Sequence, residues 1–464
     1  FIRFYLSLIA ATLFFLPRVY AAEGDPRLVH LVTRFYQPSG DEIKLIDGKS
    51  RTAFEARAKR TDQFLQALSK IDRSSLGTPD RIDYDYFYAQ LDNSMQKLRD
   101  IKIWKKRPSD YIPFNDFFAA SLDQVVPWEE RYTAMISALT SDLHDFKYGK
   151  ENLVGPPPLW IERAVTLADN TFSFLDTEML DIIARAPNEI LAGKMQQAAN
   201  AYRHQLQEFR TFLVEDLKPG KIGELAVGKQ EYERLLRNHF LNYSVDELVT
   251  IGTKLYKETE QLMQHTAAEI DSNKTWQQLI EENRMDHVAP WNLYTDLARE
   301  AARAKVLVYE EIVSVPDGVI EEYRYVRRAH PETIPRGASG IGPFGFTHND
   351  RYVGYYSLPS IEQYNTWPRK SEFLQDWSRA WYIAQQIPHE VYPGHHFAIF
   401  MTGKNQRPAR QLVGSAPYTD VSSTMSEGWA VYAEELMYNH GYLNDEPRLF
   451  LGHLQHRLWR IARI

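Results

Sequence analysis

The eight residues His389-Glu390-Val391-Tyr392-Pro393-Gly394-His395-His396 bring together three imidazoles and a carboxylate. Imidazole is the commonest protein ligand for zinc, and a carboxylate beside a ligand histidine can act as a general base. The stretch begins like the zinc-peptidase signature H-E-x-x-H. It then departs from it, because Pro393 stands where the second histidine belongs and the next histidines come six and seven residues after His389. In a regular helix the seventh residue returns to within about 20° of the starting face, while the sixth is about 120° away. Proline removes a backbone donor and clashes with the preceding turn, so Pro393-Gly394 predicts a break in the helix. A break can swing His395 back towards His389. Either His395 or His396 is therefore a candidate partner of His389.

A second group of residues lies downstream. Residues 422–437 read as a helix with a serine-rich start. Glu427, Val431 and Glu434 fall on one stripe at helical spacing, so the two carboxylates point the same way. Glu427, in the first turn beside Gly428, is the better ligand candidate, since glycine allows close approach. Glu434 is a candidate for orienting a ligand imidazole through its free N–H.

Together, His-Glu-x-x-Pro-Gly-His-His and the downstream Glu427-Gly428-Trp429-Ala430-Val431-Tyr432-Ala433-Glu434 resemble the bacterial domain-of-unknown-function 885 family. The resemblance extends to Gly354-Tyr355-Tyr356-Ser357-Leu358-Pro359 and, more loosely, to Asp83-Tyr84-Asp85-Tyr86-Phe87. Members are large, mostly helical and often exported, and they resemble gluzincin-type zinc peptidases. The resemblance implies Zn2+ held by His389, His395 and Glu427, with Glu390 as general base and a peptide as substrate. A further donor should stabilise the developing oxyanion, and His396, Tyr355 and Tyr356 are the candidates. Members of that family continue beyond the helical pattern in which this chain stops, and the chain begins with Phe1, so it reads as a fragment whose substrate-binding residues are incomplete.

The elements that must position these groups are mostly helices. Apolar residues recur at three and four over 52–71, 83–103, 129–148, 159–185, 188–216, 245–270 and 291–313. Leu248, Ile251, Leu255 and Leu262 give one such stripe. The Gly/Pro-rich stretch 334–346 cannot be helical. Residues 351–357 read as a short strand that would form an edge just before the metal-binding helix, where an extended peptide could add as a further strand. The expected fold is mainly α, a large bundle-like assembly of helices with a small β-hairpin or edge strand. The expected organisation is a signal peptide over 1–21, a helical region over 22–328 and a metal-binding catalytic region over 329–464.

The N-terminus has the form of a secretory signal: Arg3, an uncharged apolar run over 4–16, and small residues up to Ala21. A periplasmic or secreted protein follows, without stable membrane insertion after cleavage. The chain has 464 residues and no cysteine, which excludes disulfides, thiolate catalysis, a thiolate metal site and a lipid-modified cysteine. Its net charge of −7 is dispersed, with no basic stripe to bind nucleic acid. Two other readings remain at this level. One is an exported helical protein that binds metal or peptide without turnover; the other is a metal-dependent hydrolase of a non-peptide amide or ester. Oligomeric state is not legible.

Overall fold

The computed structural model describes residues 24–122, 126–141, 143–220, 222–315, 320–328, 344–348, 351–359, 374–375, 377–403, 405, 407, 410 and 422–464. The signal-peptide expectation therefore lies outside the described residues, as does the expected boundary at 328–329 on its C-terminal side. Among the described residues, no helix is long and apolar enough to cross a membrane. The architecture is mainly α, as the periodicity predicts.

The chain divides into two compact units. One contains the described residues up to Asn238 with those in Gly403–Val421; the other contains those in His239–Ala329, Gly340–Thr402 and Ser422–Ile464. The helices that follow Asn238 share cores with the C-terminal ones, and burial rather than sequence order sets the grouping.

The first unit comprises α1 (Pro26–Tyr36), α2 (Gly40–Ile46), α3 (Arg51–Leu68), α4 (Thr78–Met95), α5 (Asn115–Leu122), α6 (Trp128–Ser141), α7 (His144–Asn152), α8 (Pro158–Asp176), α9 (Glu178–Ala184), α10 (Glu189–Phe212) and α11 (Lys229–Asn238). Some long periodic runs are broken: 129–148 becomes α6 and α7, and 159–185 becomes α8 and α9. Asn188 caps α10 by accepting from the Leu191 N–H at 2.9 Å. The buried face of α10 carries Met195, Ala198, Ala199, Tyr202, Leu206 and Phe209, at helical spacing, in a core with Phe146 and Phe174. Each fully buried large apolar side chain contributes about 1.5–3 kcal/mol. The excursion in Gly403–Val421 is tied to α4 by Arg407, whose Nε donates to Asp83 at 2.6 Å and whose other arm holds Asp80.

The second unit comprises α12 (Val245–Ile270), α13 (Trp276–Met285), α14 (Leu293–Leu307), β1 (Ile320–Arg328), β2 (Phe344–His348), β3 (Arg351–Pro359), α15 (Arg379–Trp381), α16 (Ile387–Glu390), α17 (His395–Gly403), α18 (Ser422–Asn439) and α19 (Pro447–Ile461). A reciprocal cap opens α12: the Glu247 N–H donates to Ser244 Oγ at 3.2 Å and the Ser244 N–H to Glu247 Oε2 at 2.8 Å. Its boundaries match the sequence expectation, but its buried face does not. Gly252, Thr259, Met263, Thr266 and Ala267 are buried, whereas Leu262 is exposed. Small side chains let α19 pack close along α12, and a Cβ on Gly252 would already lie 3.2 Å from Ile464.

The sheet has the order β1-β3-β2, with β1 parallel and β2 antiparallel to β3. The hairpin expected before the metal-binding helix is present as β2 and β3. Two expectations are corrected. β3 is the central strand, paired on both sides, so it offers no free edge to a substrate. The region read as helical up to 328 ends in a strand, β1, which pairs with β3 along Ile320–Arg328 and holds the Tyr323-Arg324-Tyr325 alternation.

Candidate metal centre

A helical run leads into the site. After α15 a π turn, Tyr382–Gln386, sends the Ile387 N–H back to the Tyr382 carbonyl, and α16 follows. Pro388 lacks a backbone donor and would crowd the carbonyl four residues before it, so the widened turn accommodates it. α16 stops at Glu390. The tight turn over 391–394 follows, and α17 starts at His395, with the Ala398 N–H donating to the Gly394 carbonyl at 2.9 Å. Only glycine fits at 394, since a Cβ there would lie 1.8 Å from the His389 carbonyl oxygen. Trp429 of α18 pins the turn by donating Nε1–H to the Pro393 carbonyl at 2.8 Å.

This break brings one of the two histidine candidates to His389. His395 swings back to His389, their rings edge-on with centroids 4.9 Å apart. Glu427 joins them from the first turns of α18: its Oε2 lies 3.5 Å from His389 Nε2 and 3.6 Å from His395 Nε2. The potential ligand atoms of the three residues all lie within 4.8 Å of one another. Zinc bonds of about 2.0–2.1 Å in a tetrahedron would set donor–donor edges of roughly 3.3–3.4 Å. The two measured edges are within a few tenths of an ångström of that, so the donor set fits such an ion.

The outer nitrogens are held as well. His389 Nδ1 lies 2.7 Å from Glu434 Oε1, and His395 Nδ1 lies 3.1 Å from Ser426 Oγ. With a metal bound, each Nδ1–H would be donated outward and each Nε2 lone pair would face the shared point. Arg460 of α19 grips Glu434 with both arms, at 2.7 Å each. Glu434 was legible in the sequence by its stripe with Glu427. Arg460 and Ser426 were not singled out: Arg460 comes from an element remote in sequence, and a serine near a helix start reads as a cap.

Electrostatics follow from this packing. The imidazoles of His389 and His395 hold the Glu427 carboxyl well below the usual range. Burial works against charge on His389, but Glu427 and Glu434 outweigh it and push that ring up to about 9 in the metal-free protein. Burial raises the Glu390 carboxyl, which His389 and His395 only partly offset. Glu390 Oε2 is buried without a hydrogen-bond partner among the described residues. The Glu427 side chain is 54 % exposed, so the centre opens to solvent on that side. Gly428 is also open: no neighbour lies within 4 Å of where its Cβ would stand, and the close approach expected there is not made by the described residues.

His396 goes elsewhere. Its fully buried Nε2 lies 2.6 Å from Glu321 Oε2 on β1. Tyr392 donates to the same oxygen at 2.7 Å, Tyr309 donates to Oε1 at 2.6 Å, and Lys305 pairs with Oε1. Burial opposes charge on Glu321, but His396, Lys305 and Tyr309 hold its carboxyl down to about 2. The oxyanion-donor role expected of His396 is therefore not what the structure shows, because the ring is committed to a buried carboxylate. Gly354 of β3 makes room for it: a Cβ there would be 2.2 Å from His396 Nδ1. Tyr355 and Tyr356 stand on β3 opposite Arg324 and Tyr325, and their side chains lie outside the described residues. A cavity of about 470 Å³ opens on the Glu321 flank, lined by Tyr294, Lys305, Glu321, Tyr323 and Tyr392 among others, and none of His389, His395 and Glu427 lines it.

Two histidines and a glutamate converging on one point, on a mainly helical scaffold, define a protein with a candidate mononuclear metal centre. The chain belongs to the family described as bacterial protein of unknown function (DUF885), which it matches over residues 38–464. Its fold is similar to that of a protein from Shewanella oneidensis described as a lipoprotein of unknown function, at 16 % identity and a TM-score of 0.63, covering 99 % of this chain and 82 % of that one. It is also similar to a protein described as a lipoprotein from Colwellia psychrerythraea, at 14 % identity and a TM-score of 0.63, covering 100 % and 81 %. No curated protein matches the chain.

Proposed function

We propose that the protein is an exported zinc-dependent hydrolase, and specifically a metallopeptidase. The observation that carries this reading is the convergence of His389, His395 and Glu427 beside Glu390, whose carboxylate is neither a member of that donor set nor used in structural bonding on its Oε2. A site that only stores metal has no need of a carboxylate next to a ligand with one buried oxygen left unpaired among the described residues.

When bound, a zinc ion polarises a scissile carbonyl and brings the pKa of a water towards ~7. His389, His395 and Glu427 would hold it. Glu434 keeps the His389 ring in the tautomer with Nε2 unprotonated, and Arg460 fixes Glu434. Glu390 accepts the proton of the attacking water and returns it to the leaving amine nitrogen. Export is supported by the charged start and apolar run at the N-terminus, and by fold relatives described as lipoproteins.

The test combines elemental analysis of the purified protein with digestion of a peptide library. One zinc per chain and cleavage of peptide bonds are expected. Glu390→Gln should keep fold and zinc but lose about 10²–10⁴-fold in rate. Turnover by that variant at the wild-type rate would remove Glu390 from the mechanism.

A further inference from the structure

We propose that Gln386 is a positioning residue for Glu390: its buried carboxamide, one turn upstream on the same helical face, holds the Glu390 carboxylate through an ordered water. The inference rests on the reading of Glu390 as the base.

Gln386 is fully buried, yet among the described residues neither its Oε1 nor its Nε2 has a hydrogen-bond partner. Buried polar groups are nearly always paired, and an amide with both ends unpaired calls for a water. Glu390 Oε2 is a third buried atom without a partner among the described residues, four residues on. Residues four apart on a helix are neighbours, with Cβ atoms about 5–6 Å apart. Helical side chains lean towards the N-terminus, so Glu390 reaches back over the turn that carries Gln386. A water between them meets an N–H donor, a carbonyl acceptor and a carboxylate oxygen, the number of polar partners that buried waters typically have.

The local backbone favours this placement. Gln386 is the last residue of the π turn, where the backbone changes from five-residue to four-residue bonding just before Glu390. Such single π turns recur at functional sites because they re-aim the residues that follow. Gln386 stands one turn before Glu390 on this helical run, while His389 faces Glu427 and Glu434. The carboxylate is then restrained by one flexible bridge and stays free to take up and release a proton.

The experiment has two readouts on the zinc-loaded full chain. A crystal structure that resolves ordered water should show one water within hydrogen-bond distance of both the Gln386 carboxamide and the Glu390 carboxylate. Gln386→Leu, similar in size and without the unpaired atoms, should keep zinc content and KM within about twofold while kcat falls about tenfold or more. A dry contact, or a folded Leu variant whose kcat stays within about twofold of wild type, overturns the proposal. If wild-type protein cleaves no peptide, the metallopeptidase reading fails, and the water in the crystal still decides whether Gln386 holds Glu390.

Discussion

Glu434 Oε1 lies 2.7 Å from His389 Nδ1, on the side of the ring opposite the nitrogen that faces Glu427. One imidazole is thus held between two carboxylates of the same helix, spaced two turns apart. The inner one belongs to the candidate donor set, and the outer one is placed to hold the ring's Nδ1. Carboxylates in that outer position typically account for 10–100-fold in metal affinity. Glu434→Gln should therefore weaken zinc binding by about 10–100-fold in a chelator-competition assay. Arg460→Met should act in the same direction, because it releases both arms that hold Glu434.

The two adjacent histidines should separate cleanly. His395→Ala should lose stoichiometric zinc while the fold persists, as read by metal content and far-ultraviolet circular dichroism. His396→Ala should keep its zinc. Its cost should appear as lower stability, on the order of 1–3 kcal/mol, because a buried carboxylate loses one of its donors. Zinc loss by His396→Ala with retention by His395→Ala would mean that the assignment of the second ligand is reversed.

Glu321 gives a pH dependence. Its folded carboxyl, at about 2, is below the ordinary value of 4.5, so the unfolded state binds protons more readily in acid. The stabilisation is present above the ordinary value and is lost as pH falls from there towards about 2. At about 1.4 kcal/mol per pKa unit the full effect is on the order of 3 kcal/mol. Urea unfolding between pH 6 and pH 3 should show the loss in wild type and a smaller one in Glu321→Gln. Equal slopes for the two proteins would remove Glu321 as the source.

Gly394→Ala should disrupt the turn between His389 and His395, because its Cβ would meet the His389 carbonyl oxygen at 1.8 Å. Both zinc content and thermal stability should fall. Gly354→Ala should lower stability by about 1–3 kcal/mol through overpacking against His396, yet spare the zinc. A Gly394→Ala protein with full zinc content would show that the turn can relax without moving His395.

The sequence by itself determined what depends on local spacing. Apolar recurrence at three and four located the helices, including the bounds of α12. The order His389-Glu390 set an imidazole next to a carboxylate, and helical spacing put Glu427 and Glu434 on one face. These are properties of neighbouring residues, set by backbone geometry alone. Tertiary structure decided the rest. His395 rather than His396 turns towards His389, because Gly394 closes a turn too tight for any Cβ and because Glu321, from a strand remote in sequence, captures His396. β3 is central rather than at an edge because β1 pairs with it in parallel, which no local pattern encodes. Arg460 reaches Glu434 only because α19 packs into the same unit, and α12 buries its small residues rather than its leucines because close helix approach outweighs the size of any one side chain.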